Sequence, residues 1–239
     1  VVQVVSAASG VGYDSLFLVQ AFVIGVGGAA FGLVYVLMAG VLKAALRPLR
    51  SAMDARIGRW PRCVVLAGAG GAAVGALGWA MPLVLTDGSG QLPTVMAQPA
   101  AIGSRVLAAS AFAKALAYHL AGECGFSGGL FLPMLSMSTL LGAVIVNETG
   151  INPVVALSCS SIALGASLIP APAMLALLAN SLLLVGPQGL IPIAATAFTA
   201  HLLCMGVGLP QSLLAAVARR KAKKAAAAAA AEAAKATQG

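Results

Sequence analysis

The sequence predicts an all-α, polytopic membrane fold with broken and re-entrant helices, and three observations carry that prediction. Apolar residues make up 60% of the 239 and charged residues only 8%, with a mean hydropathy of +0.99, whereas an ordinary soluble domain is about a quarter charged. Two stretches, Leu16 to Leu42 and Cys63 to Leu85, contain no Asp, Glu, Lys or Arg, and each exceeds the roughly 20 apolar residues that cross a bilayer as a helix. From Thr149 to Ala218 formal charge is again absent, but Pro153, Pro170, Pro172, Pro187, Pro192 and Pro210 divide that stretch into pieces shorter than a comfortable span. Such pieces are tolerated at membrane depth only where protein or a watery cavity satisfies the freed backbone.

Taken in order, Val1 to Ser15 reads as the end of an earlier intramembrane helix with a turn at Gly10-Val11-Gly12. The chain opens on Val1 without an initiator methionine, so upstream sequence is expected. Helical spans are predicted over Leu16–Leu46 and Arg62–Leu85. Gly28 and Gly32 in the first, and Gly71 and Gly75 in the second, have small-xxx-small spacing, which reads equally as a close helix contact and as the chance content of glycine-rich spans. Asp87-Gly88-Ser89-Gly90 is a loop, and Gln91 to Gln98 is a half-helix ending at Pro99. A helix over Ser104 to Ala121 follows, and then short helices over Pro153–Leu168, Pro172–Val185, Leu190–Met205 and Pro210–Arg220. An alanine-lysine run, low in complexity, ends the chain.

Charge is segregated. Of fourteen basic residues, Lys43, Arg47, Arg50, Arg56, Arg59 and Arg62 fall in one linker and six more follow Ala218, which places both regions on the cytoplasmic side by the positive-inside rule. A basic flank beside a membrane helix has a sufficient electrostatic explanation, so no nucleic-acid partner is expected. Cys63, Cys124, Cys159 and Cys204 lack CxxC spacing and read as small buried residues. The two histidines are distant in sequence, and neither a metal site nor a cofactor is indicated. Six acidic residues, with no paired carboxylates in an apolar segment and no nucleophile elbow, argue against an enzyme.

Residues 125–142 read GFSGGLFLPMLSMSTLLG, a glycine-rich elbow opening into an apolar helix. A helix start leaves N–H groups without intrahelical partners and carries the positive end of the helix dipole, so it can hold a small anion without a charged side chain. Gly128 and Gly129 let the backbone approach an ion, and Pro133 falls in the first turn, where its missing N–H costs little. The backbone N–H groups of Leu130 and Phe131 are the expected ligands. Upstream, Lys114 interrupts an apolar helix; it reads first as a structural post near a helix end or cavity wall, and second as a direct attractor of anions. Glu123 would oppose an anion if it pointed inward, and is expected to face water at its helix end.

Gly129-Leu130-Phe131-Leu132-Pro133 resembles the GxFxP signature of the CLC chloride channel and transporter family. Three further blocks stand in that family's order: Pro82 to Leu92 (PLVLTDGSGQL), the lysine position at Ala113-Lys114, and Ser161 to Pro172 (SIALGASLIPAP). The resemblance implies that residues 1–217 are the second, C-terminal half of a CLC membrane domain, one of two inverted repeats, followed by a basic, alanine-rich tail over 218–239. It implies chloride or a similar anion as the transported species, moved by a channel or by a chloride/proton antiporter, in an integral, multi-pass membrane protein that forms a homodimer. The anion-binding residues it implies are Gly129, Leu130, Phe131, Pro133 and Gln211, with Gly125, Ser127 and Gly128 supporting the elbow and Lys114 as a pore-proximal charge. Gln211 stands where the family has a tyrosine, and reads otherwise as a cap of the last helix. The family's gating glutamate lies in the other half, so no residue here inherits that role, and Asn180-Ser181 occupies a place where the family often has an acid. The alternative reading is a truncated, non-conducting fragment or assembly module that needs a partner half.

Overall fold

The computed structural model describes residues 15–183 and 185–206. The lead-in before Ser15, Gln211, the helix expected over Pro210–Arg220 and the tail lie outside the described residues. The helices are α1 (Ser15–Ile57), α2 (Arg59–Ala80), α3 (Leu92–Ala97), α4 (Ser104–Cys124), α5 (Phe131–Thr149), α6 (Pro153–Leu168), α7 (Pro172–Leu183) and α8 (Pro187–Gly206), with short 3-10 turns at Pro82–Val84 and Pro99–Ala101. Among the described residues there is no strand, and α1, α2, α5 and α8 are long and apolar enough to cross a membrane.

At the centre stands α6, which packs against α5, α1 and α8 and is buried at every position from Val154 to Ser167. A helix buried all round must satisfy its polar side chains internally. Ser158, Ser161 and Ser167 do so by donating to the carbonyls of Val154, Ser158 and Leu164, at 2.6, 2.7 and 2.7 Å. Its start is a local decision: the Asn152 side chain accepts from the Val154 N–H at 2.9 Å, with Pro153 as the first helical residue. Sixteen residues rise only about 24 Å, short of the roughly 30 Å hydrocarbon core, so α6 is one of the short pieces that the prolines predict.

The small-residue pairs separate into two kinds. A Cβ at Gly28 would collide with Ala163, and one at Gly32 with Ser167, so these two glycines bring the backbone of α1 onto α6. A Cβ at Gly71 would make only an ordinary contact, 3.7 Å from the Phe126 ring, and nothing lies within 4 Å of a Cβ at Gly75. The second pair is therefore not a tight seam.

Four expectations need correction. The first span does not stop at Leu46; α1 continues through the basic residues to Ile57, and α2 begins at Arg59 after a single break at Gly58, whose φ of 76° suits glycine. The segment taken as a basic linker is thus helical, because arginine, lysine and alanine are good helix formers once the chain is already in a helix. At its other end α2 stops at Ala80 rather than Leu85, giving way to the 3-10 turn. Pro187 and Pro192 do not shorten α8 below a span: it has 20 residues with Pro192 inside. Finally, Cys63 is exposed, whereas Cys124, Cys159 and Cys204 are buried. It lies on α2, a helix at the periphery whose indoles Trp60 and Trp79 are 85% and 88% exposed.

Candidate anion site

The elbow is made by the end of one helix and the beginning of the next. Gly125 closes α4 in the left-handed region, at φ 103°, and the Phe126 N–H returns to the Ala121 carbonyl at 3.0 Å, a glycine-dependent C-terminal cap. Irregular backbone then runs to Leu130, which precedes α5 with a near-helical φ of −90°. Gly125, Phe126, Ser127, Gly128, Gly129 and Leu130 are all exposed, and a Cβ at Gly128 or Gly129 would meet no atom within 4 Å.

At the start of α5 the Leu130 carbonyl accepts from the Met134 N–H at 3.2 Å, but no side chain caps the helix. The N–H groups of Leu130 and Phe131 have no protein acceptor among the described residues. Two open donors at the positive end of a 19-residue helix, reached through glycines, are an arrangement that can hold a small anion. The start of the elbow is bounded by α2: a Cβ at Gly70 would strike the Cys124 side chain, and one at Gly71 would lie 3.7 Å from the Phe126 ring. Both lie near the middle of α2.

Lys114 and Pro133 line one cavity of about 180 Å³, together with Val74, Thr86, Tyr118 and Ala121. The lysine is 3% exposed, and its ammonium donates to the carbonyls of Leu83 and Leu85 at 3.0 and 3.3 Å, with Val84 at 3.5 Å. It thus occupies the open carbonyl end of the Pro82–Val84 turn, the place of a post. A Cβ at Gly88 would lie 3.3 Å from the same ammonium and would collide with Ser136, so the Asp87 to Gly90 loop is pressed between Lys114 and the second turn of α5. The Ser89 N–H and hydroxyl hold the Asp87 carboxyl below its ordinary value, and the Lys114 charge acts in the same direction.

Sequence reasoning gave no site role to Thr86 and Gly88, which fall in the Pro82 to Leu92 block, or to Ser136. Thr86 adopts a positive φ of 61°, which no residue pattern announces, and Ser136 matters only because the loop folds onto it. Glu123, expected to face water, is instead paired with Arg50 at 2.6 Å and keeps 22% side-chain exposure. The two histidines stay apart: His119 Nε2 lies 3.0 Å from the Tyr35 carbonyl, and His201 Nδ1 lies 3.1 Å from that of Ala166. Among the described residues, no group of His, Cys, Asp or Glu could hold a metal ion.

Among known families, residues 3–205 match the model described as voltage gated chloride channel. No curated protein matches the chain.

Proposed function

Because the chain belongs to the voltage-gated chloride channel family, whose members are channels or transporters, we propose that residues 1–217 are the C-terminal half of an anion-conducting membrane domain that binds chloride at the start of α5. The observation that carries this reading is the pair of open N–H donors at Leu130 and Phe131 behind a glycine elbow. Neutral dipoles suit conduction, since they hold an anion without trapping it. Gly129, Phe131 and Pro133 form the elbow's approach and first turn, and the remaining ligands come from the preceding half and from Gln211. Whether transport is by channel or by proton-coupled exchange is decided in that preceding half, where the gating acid belongs.

The test replaces the amide of residue 130 by an ester in the full-length protein, removing one N–H donor while keeping the side chain. Chloride affinity, measured by calorimetry, should fall about tenfold or more, since a hydrogen bond to a charged group is worth roughly 1.5–3 kcal/mol. Leu130→Ile, which keeps the donor, should bind as the parent does. If the ester binds fully while Lys114→Met abolishes binding, the lysine carries the anion.

The second reading, an assembly module, draws on a different observation. Phe126, Leu130 and Leu132 are 50%, 38% and 39% exposed beside the elbow, an apolar rim suited to a covering partner half. Chloride flux through the full-length protein separates the two, because a module that only assembles would conduct nothing.

The basic helix ends and the tail share the cytoplasmic side in this proposal, by the segregation of positive charge. Cysteines introduced at Arg56 and Lys223 should label from the same side. The background must lack the exposed Cys63, and labelling from opposite sides would overturn the topology.

A further inference from the structure

We propose that Arg50 is a positioning residue for the elbow, holding the end of α4 in place and cancelling the charge of Glu123; this rests on the elbow being an anion site. Arg50 projects from the C-terminal part of α1 and grips one residue twice. Its Nη1 lies 2.6 Å from Glu123 Oε2, and its Nη2 donates to the Glu123 backbone carbonyl.

Each half of that grip answers a specific problem. The carbonyl of Glu123 belongs to the last turn of α4, where carbonyls lack intrahelical donors. The carboxylate stands at the negative end of the helix dipole, two residues before Gly125, so both the helix and an anion at the elbow disfavour it. A guanidinium supplies several donors in one plane and serves both oxygens at once, which an ammonium does less well. The side chains are only 27% and 22% exposed, so the pair is shielded more than a typical surface bridge. Immediately beyond Glu123, Cys124 abuts Gly70 of α2. The end of α4 is therefore held from α1 by Arg50 and from α2 by that contact, and the next backbone along the chain is the elbow.

The experiment uses the full-length protein and three variants, R50Q, R50K and R50Q/E123Q. Chloride affinity is read by calorimetry, and hydrogen exchange of residues 122–131 is followed without chloride. Arg50→Gln leaves a bare carboxylate and should weaken chloride binding on the order of tenfold, as expected for a like charge in a partly shielded site. The double variant should recover most of that loss, a result that damaged packing would not produce. In exchange, R50Q and the double variant should both open residues 122–131. Arg50→Lys should keep most of the affinity but lose part of the protection, because it keeps the charge and not the fork. Equal affinity loss in R50Q and the double variant would overturn the charge-masking role, and unchanged exchange in every variant would overturn the clamp. If the parent binds no chloride but R50Q still opens the elbow, the anion reading fails and the clamp stands.

Discussion

Gly129→Val should reduce chloride flux about 100-fold in the full-length protein, while Gly75→Val should leave it within about twofold. The comparison is clean because neither valine overpacks this chain: a Cβ at either position meets nothing within 4 Å, and neither glycine has a positive φ. What differs is where the new methyls project. At Gly75 they lie on an exposed face of α2. At Gly129 they stand beside the open donors of Leu130 and Phe131, where an anion has to approach the backbone, and a misplacement of about 1 Å at such a site costs on the order of 100-fold. Flux in vesicles, at matched amounts of folded protein, is the measurement. Equal losses would mean that the elbow is one more packing surface.

The second large effect concerns folding. Gly28→Val should destabilise the protein by about 3 kcal/mol or prevent its folding, since its Cβ would overlap Ala163 in a helix that is buried on all sides and overpacking costs roughly 1–3 kcal/mol or more. Gly27→Val is the internal control, one residue away on the same helix with nothing within 4 Å. Thermal unfolding in detergent should separate the two by many degrees. If they melt together, α1 does not approach α6 as described.

The elbow was readable in the residues because its chemistry is local. Two adjacent glycines, a proline in the first turn and an apolar run determine a helix start wherever the segment is placed. The bounds of α6 were equally legible, with Asn152-Pro153 at one end and Pro170 shortly past the other. The basic segment misled because a charge run suggests a break, although arginine and lysine propagate a helix well. In α8 the prolines misled for a related reason. Pro187 is the first helical residue, where a missing N–H costs little, and Pro192 lies inside the helix, where it removes one intrahelical bond without ending the helix.

By itself the sequence determined the membrane class, the approximate helices and the glycine elbow, all of which follow from composition and short-range preference. It could not tell which apolar face of a helix meets protein and which meets lipid, because hydrocarbon tails are as apolar as leucine and no amphipathic stripe marks the difference. Only the tertiary structure decided that Gly28 packs while Gly75 lies open, that Lys114 occupies the carbonyl end of the Pro82–Val84 turn, and that Arg50 reaches Glu123. The contacts of Gly28, Lys114 and Arg50 each depend on two elements far apart in the chain arriving within a few ångströms of each other, a condition imposed by tertiary packing and by no local spacing.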